Sequence, residues 1–195
     1  VVVLMDSTKK AADELATYSV PVGQLLTPLT RYKRWSDVWA VDNGAFSRFH
    51  ENAFLRLLER NQAHKSQCLF VAVPDVVGSA RRTLEVFRSY RQKLTGWSLA
   101  LVLQDGVEDF DLPWNHFHAV FVGGTTRFKN SDAAMHCAKA AKIMGKWVHV
   151  GRVNTPERYK RWEKIADSCD GSGLARYSHM RETLGKYVSG ESAST

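Results

Sequence analysis

Apolar, mostly β-branched runs alternate along the chain with segments whose apolar residues recur at helical spacing. The run CLFVAVPD (68–75) is almost continuously apolar, which is typical of a strand covered on both faces. The following segment, 79–94, begins with Ser79 as a candidate helix cap and carries Leu84 and Phe87 on one side. Repeated alternation of this kind predicts a parallel sheet.

The complete pattern predicts up to eight strands. They are expected at 1–5, 22–28, 38–44, 68–75, 98–106, 118–124, 147–153 and 166–173. Helices are expected at 9–18, 51–62, 79–94, 131–145 and 155–165, and the segment 183–190 closes the domain. Eight such units predict an α/β fold of the compact (β/α)8 type, smaller than the ~250 residues typical of these barrels.

One catalytic domain is expected over residues 1–188, followed by a flexible C-terminal tail at 189–195. The alternative architecture is an open, doubly wound sheet of about six or seven strands. Nucleotide-binding sheets of that kind carry a GxGxxG or GxxxxGK[ST] motif, and neither motif occurs in the chain. The closed barrel is therefore the favoured prediction.

The net charge and the cysteine content indicate which class of binding partner and which cellular compartment suit the protein. The formal net charge is +7, which suits a polyanionic partner such as nucleic acid. The cysteines, Cys68, Cys137 and Cys169, form no CxxC pair, which predicts free thiols rather than a zinc site. No apolar run approaches the ~20 residues that cross a bilayer. We expect a cytoplasmic protein without membrane contact, in the host cytoplasm if a phage encodes it.

Chemistry-bearing residues recur where the predicted strands end. They are Asp42-Asn43-Gly44, Pro74-Asp75, Gln104-Asp105-Gly106, Gly123-Gly124, Gly151-Arg152, and Asp167 with Asp170-Gly171. In a parallel barrel the carboxyl ends of the strands form the active site. One acidic strand end is explained equally well as a turn, because Asp and Gly are common turn residues. Because such residues recur at most of the strand ends, the sequence favours an active site over a set of ordinary turns.

Carboxylates that converge without a metal motif are suited to glycosyl transfer. One carboxylate attacks the anomeric carbon, and another moves protons on the leaving group. Gln104, Asp75 and the glycine backbone are suited to hydrogen-bond a planar heterocycle. The alternative is a metal hydrolase in which Asp42, Asp75 and Asp170 bind Mg²⁺, although no dense DxD or HExxH spacing favours it.

The order of these strand ends resembles the tRNA-guanine transglycosylase superfamily, above all its small DNA-modifying branch, the phage-type 7-deazaguanine DNA transglycosylases. The resemblance covers about residues 38–175. The family's Asp-Ser-Gly-Gly-Phe, Val-Gln-Gly-Gly, Gly-Gly-Leu and Gly-Val-Gly-Thr-Pro-Glu stretches are similar to DNGAF (42–46), VLQDG (102–106), FVGGTT (121–126) and VGRVNTPE (150–157). The later Asp that reads the guanine edge would fall on Asp75.

The resemblance implies Asp170 as the nucleophile and Asp42 as the acid/base. Asp167 is the competing nucleophile, because the family's following Pro-Thr-Arg stretch is replaced here by GLARYSH. The base-binding residues implied are Asp75, Gln104, Gly123, Gly124 and Phe46. Phosphate contacts are expected from Arg127, Lys129, Arg152 and Arg176. No cofactor and no metal are expected, and His149 is expected to be a hydrogen-bonded barrel residue.

The activity implied is base exchange by a pentosyltransferase. Asp170 attacks C1′, guanine departs, and a 7-deazaguanine such as preQ0 enters after Asp42 has deprotonated it. A duplex target would have to be flipped out of the stack. The family's tRNA enzymes carry a Cys/His zinc site and insertions that this sequence does not contain, which favours DNA over tRNA. A tRNA-guanine transglycosylase, a nucleic-acid N-glycosylase and a non-catalytic nucleic-acid-binding subunit remain as alternatives.

Overall fold

The computed structural model describes residues 1–191 and contains a closed barrel of eight parallel strands in sequence order. The strands are β1 (Val2–Met5), β2 (Val22–Leu26), β3 (Trp39–Val41), β4 (Cys68–Ala72), β5 (Leu99–Leu103), β6 (Ala119–Val122), β7 (Trp147–Val150) and β8 (Ser168–Asp170). Strand β8 pairs with β1, with Asp170 opposite Leu4, and this pairing closes the barrel. The predicted (β/α)8 fold is confirmed.

Helices surround the barrel. They are α1 (Lys9–Ala16), α2 (Glu51–Arg60), α3 (Ala80–Tyr90), α4 (Thr126–Lys129), α5 (Asp132–Ile143), α6 (Pro156–Trp162), α7 (Ser172–Arg176) and α8 (Ser178–Ser189). The connection from β2 to β3 contains no helix, and short 3-10 turns at Val107–Asp109 and Trp114–His116 connect β5 to β6. Within residues 1–191, no helix is long and apolar enough to cross a membrane.

Seven of the eight predicted strands were too long at their carboxyl ends, and only the strand expected at 1–5 ends where predicted, at Met5. The strand expected at 98–106 ends at Leu103, because Gln104 turns its side chain to Asp75 and Gly106 adopts a left-handed conformation with φ of 84°. Helices α4 and α7 were not predicted. The segment expected at 183–190 belongs to α8, which includes Ser189, the first residue assigned to the tail. Residues 192–195 of that predicted tail lie outside the described residues.

The barrel interior combines alanines with two phenylalanines. Its buried residues are Leu4, Leu25, Ala40, Phe70, Ala72, Ala100, Val102, Ala119 and Phe121. The rings of Phe70 and Phe121 pack edge to face with centroids 6.2 Å apart. Both rings also lie against the imidazole of His149, at centroid distances of 5.0 and 4.5 Å. The aromatic filling of the barrel therefore supports a polar side chain close to its carboxyl end.

Replacing Phe70 by alanine is expected to lower the free energy of unfolding by about 3–5 kcal/mol, because the barrel interior cannot collapse onto the cavity. Urea unfolding followed by circular dichroism measures the effect. Ile143→Ala is the matched control, since Ile143 is 85% exposed at the end of α5, and its effect is expected to stay within about 0.5 kcal/mol. Similar losses in both variants would contradict the packing described for the interior.

Candidate active site at the carboxyl end of the barrel

One cavity at the carboxyl end of the barrel gathers most of the residues singled out from the sequence. Its lining includes Asp42, Phe46, Asp75, Gln104, Gly123, Gly124, Lys129, Arg152 and Asp170. The volume of the cavity is about 80 Å³, several times the ~10–15 Å³ that one water molecule requires. The cavity therefore has room for part of a small organic molecule, with charged and amide groups on its wall.

Asp170 is the last residue of β8 and reaches the cavity with its carboxylate held on both oxygens. Oδ2 lies 2.9 Å from Nε2 of His149, and Oδ1 accepts from the backbone N–H of Arg152 at 3.3 Å. The side chain of His149 is fully buried, whereas that of Asp170 is 16% exposed. The carboxylate is thus oriented from below while its upper side stays accessible from the cavity.

A chain of hydrogen bonds behind Asp170 determines which nitrogen of His149 carries the proton. The indole N–H of Trp147 donates to Oγ of Ser168 at 2.8 Å, and Oγ also lies 2.8 Å from Nδ1 of His149. Because an indole nitrogen only donates, the hydroxyl hydrogen of the buried Ser168 is satisfied by pointing at Nδ1. His149 then carries its hydrogen on Nε2 and donates it to Asp170.

Asp167, the competing nucleophile, lies at the opposite end of β8. Its carboxylate oxygens are 2.7 and 2.9 Å from Nζ of Lys142, and Oδ2 also accepts from the backbone N–H of Val148 at 2.8 Å. Asp167 precedes the strand and does not line the cavity. Of the two candidates, the geometry leaves Asp170 in a position to meet a ligand.

Asp42 directly follows β3 and is partly buried in the cavity wall. Burial raises the pKa of its carboxyl to about 7, and the negative charges of Asp170 and Asp75 act in the same direction. The backbone N–H of Gly44 donates to Oδ1 at 3.2 Å and opposes the shift. A carboxyl group that titrates near neutral pH is suited to both accept and return a proton.

Asp75 follows β4 and is held by two amide side chains. Nδ2 of Asn43 donates to Oδ1 at 2.8 Å, and Nε2 of Gln104 donates to Oδ2 at 2.6 Å. The orientation of Gln104 is fixed in turn, because its Oε1 accepts from the backbone N–H of Gly78 at 2.8 Å. Burial raises the pKa of Asp75, and the two amide donors partly offset that rise.

Gly123 and Gly124 bring the backbone of β6 to the cavity surface. A Cβ at Gly123 would lie 2.7 Å from Cγ1 of Val102 and 3.2 Å from Nε2 of Gln104. Gly124 has a φ of 75°, and a Cβ there would lie 2.7 Å from the ring of Phe128. Both positions therefore require glycine, and the bare backbone that results can approach a flat ligand.

The four basic residues that are expected to contact phosphate fall into two groups according to whether they line the cavity. Lys129 and Arg152 line the cavity, whereas Arg127 and Arg176 are exposed and do not. The guanidinium carbon of Arg152 lies 3.3 Å from the ring centroid of Phe46, whose side chain is 59% exposed. Arg152 also has a φ of 62°, an uncommon conformation for a residue with a side chain. Arg152 thus covers one face of the Phe46 ring, and the rest of the ring stays exposed.

Two polar residues that act on the site were not predicted as site residues. Asn43 lines the cavity and holds Asp75, and buried Ser168 lies behind His149. His149 was expected to be a hydrogen-bonded barrel residue and is one, but its contact with Asp170 was not foreseen. Strand periodicity contains the signal, because side chains in WVHVG alternate faces and His149 shares the inner face with Gly151. Within residues 1–191, no three His, Cys, Asp or Glu side chains are grouped to hold a metal ion.

Comparisons with known proteins identify the fold. No protein-family model matches the chain, and no curated protein matches it significantly. Among solved structures it is similar to phosphoribosyl anthranilate isomerase from Thermus thermophilus, with a TM-score of 0.51 and 13% sequence identity. The match covers 97% of this chain and 98% of the isomerase chain. At this identity the likeness establishes the barrel fold of the chain and does not extend to its activity.

Proposed function

We propose that the protein is a base-exchange transglycosylase that replaces guanine in DNA with a 7-deazaguanine through a covalent Asp170–glycosyl intermediate. The observation that carries the proposal is that three carboxyl groups, each in a different environment, line one cavity. Asp170 accepts from His149, Asp42 has a pKa of about 7, and Asp75 is held by two amides.

In the first step, an oxygen of Asp170 attacks C1′ of the target nucleotide. The bond from C1′ to N9 breaks, and its electron pair leaves with the guanine. The hydrogen bond from His149 keeps the attacking carboxylate in one orientation. Asp42 in its protonated form returns a proton to the departing base, which its pKa near 7 permits.

In the second step, the 7-deazaguanine occupies the site that guanine has left. Asp42, now ionised, takes the proton from N9 of the incoming base. N9 then attacks C1′, the bond from C1′ to Asp170 breaks, and the carboxylate is released. Two displacements at the same carbon give net retention of configuration, as in retaining glycosidases.

Asp75, Gln104 and the Gly124 backbone are suited to recognise the base. A carboxylate accepts from the N1–H and the 2-amino group of guanine, whereas amide N–H groups donate to its O6. The amides of Asn43 and Gln104 fix the Asp75 carboxylate before a ligand binds. Such preorganisation lowers the entropic cost of recognition.

The experiment that tests the proposal offers radiolabelled guanine, without added metal, to duplex DNA, single-stranded DNA and tRNA. Incorporation of label into DNA alone is the expected result. Incorporation into tRNA alone would make the protein a tRNA-guanine transglycosylase, and release of guanine without incorporation would make it an N-glycosylase. Metal-dependent strand cleavage without any incorporation would contradict the proposal.

A further prediction concerns His149 as a positioning residue. His149→Leu is expected to slow adduct formation about 10- to 100-fold, because hydrogen bonds to charged groups contribute about 1.5–3 kcal/mol. The KM for the incoming base is expected to stay unchanged, since His149 lies behind Asp170 and does not line the cavity. His149→Gln retains an N–H donor and is expected to recover part of the rate. An unchanged rate in the folded His149→Leu variant would rule out this role.

A further inference from the structure

We propose that Lys129 reads position 7 of the exchanged base and selects a 7-deazaguanine whose C7 substituent is a carboxylate or a neutral acceptor over one whose substituent is an amine. The inference rests on the proposed function and assigns the chemical class of the incoming base. From the sequence, Lys129 is expected to contact a backbone phosphate, so the inference gives this residue a different role.

Lys129 is a buried cation that has no hydrogen-bond or ion-pair partner for its ammonium group within residues 1–191. It is the last residue of α4, is only 8% exposed, and lines the cavity. Among the hydrogen bonds and ion pairs of residues 1–191, none involves its ammonium group. Burial lowers the pKa of Lys129 to about 8, with Arg152 adding to the effect. Because a buried unpaired ammonium is costly, a ligand that supplies an acceptor gains more here than at the surface.

The charges that surround Lys129 favour an anion at this side of the cavity. Arg152 and Arg158 repel its ammonium, whereas Asp170 and Asp105 attract it. Both attracting carboxylates already have other hydrogen-bond partners. Thr125 donates to both oxygens of Asp105, at 2.6 and 2.9 Å, and Asp170 accepts from His149. Of the charges that act on Lys129, two cations therefore oppose two carboxylates that already have hydrogen-bond partners, and one of these carboxylates is the proposed nucleophile.

The order of the strands determines which edge of a bound purine faces Lys129. Around the rim of a 7-deazaguanine, the sequence of positions is N9, C8, C7, O6, N1 and the 2-amino group. The strands carry Asp170 on β8, Arg152 after β7, Lys129 beyond β6, Gln104 after β5 and Asp75 after β4. With N9 at Asp170, O6 at Gln104 and N1 at Asp75, C8 and C7 fall on the side of Arg152 and Lys129, and C7, the position next to O6, falls towards Lys129.

This placement gives Lys129 a role in both halves of the exchange. The departing guanine presents N7 as an acceptor, and lysine is a common donor to guanine N7 and O6. The incoming 7-deazaguanine has no N7 acceptor, so its C7 substituent takes over the contact. A carboxylate or nitrile accepts from the ammonium, whereas a protonated aminomethyl group brings two like charges together, which costs several kcal/mol.

The test measures how three bases compete with radiolabelled guanine for incorporation into DNA. The competitors are 7-carboxy-, 7-cyano- and 7-aminomethyl-7-deazaguanine. With the wild-type protein, the aminomethyl base is expected to compete about 100-fold more weakly than the carboxy base. Lys129→Met is expected to reduce this preference to about threefold, and Lys129→Glu to reverse it. Lys129→Arg keeps the charge and is expected to keep the order.

Lys139→Met is the matched control, because Lys139 lies exposed on α5 away from the cavity, and it is expected to keep the wild-type order. If labelled guanine enters DNA but the aminomethyl base competes as well as the carboxy base, the role of Lys129 is overturned while the proposed function stands. The same holds if folded Lys129→Met keeps the wild-type order. If the wild-type protein incorporates no guanine into DNA, the proposed function fails, and the inference fails with it.

Discussion

Replacing Asp170 by asparagine is expected to reduce base exchange by at least about 10⁴-fold, as the loss of a catalytic nucleophile does in other enzymes. The amide has nearly the shape of the carboxylate and can keep a contact with His149, but it cannot form the glycosyl ester. The covalent adduct between protein and DNA, seen as a denaturation-resistant band on a gel, is expected to disappear with the exchange.

Asp167→Asn separates the two candidate nucleophiles. Asp167 is paired with Lys142 at the amino end of β8, so this variant is expected to keep the adduct and to lose only stability. Loss of the adduct in folded Asp167→Asn, together with its retention in Asp170→Asn, would contradict the assignment of the nucleophile.

Replacing Asp42 by asparagine is expected to slow exchange about 10²- to 10⁴-fold, the usual contribution of a general acid–base group. The adduct is still expected to form, although slowly, because Asp170 is intact. In the wild-type protein the pKa of Asp42 is about 7. The second step requires its ionised form, and esterified Asp170 no longer adds its negative charge to the site, so the rate at which guanine resolves a preformed adduct is expected to rise with pH and to level off at or below about 7. A rate independent of pH between 5 and 9 would count against Asp42 as the base.

The pH dependence of the free energy of unfolding provides an independent measure of the pKa of Asp42. The pKa of Asp42 is raised in the folded state from the ordinary value of 3.8 to about 7, so the folded state holds a proton that the unfolded state has lost between these values. This stabilising contribution is complete below about 3.8 and is lost as the pH rises through about 7. Asp42→Asn is therefore expected to be more stable than wild type at pH 8, with a difference that shrinks towards pH 4.

The sequence predicted those features that depend on local chemistry. Ser79 caps α3 as expected, with its side chain accepting from the backbone N–H three residues later. Ser131 and Thr155, at the first residues of two predicted helices, cap α5 and α6 in the same way. Apolar runs predicted the strands from β1 to β7, because strands buried on both faces are rich in apolar residues, whereas β8 was predicted from the polar stretch ADSCDGSG (166–173). The polar residues after these strands predicted the lining of the cavity, since parallel strands bring their carboxyl ends to one rim.

The remaining features depend on contacts between distant parts of the chain. Asn43 holds Asp75 because β3 and β4 are neighbours, although the two residues are 32 positions apart. Lys129 and Arg127 lie two positions apart on α4, and only the tertiary fold decides that the first is buried and the second exposed. Helix α4, with four residues, is also too short to produce a recognisable period.

The central claim is that Asp170 carries the sugar during base exchange. Its most direct test incubates the wild-type protein with guanine-containing DNA, stops the reaction under denaturing conditions, and locates the modified peptide by mass spectrometry. The predicted result is a nucleic-acid adduct on Asp170 that disappears when guanine or a 7-deazaguanine is added before the reaction is stopped. An adduct on another residue, or exchange that proceeds without any adduct, would contradict the claim.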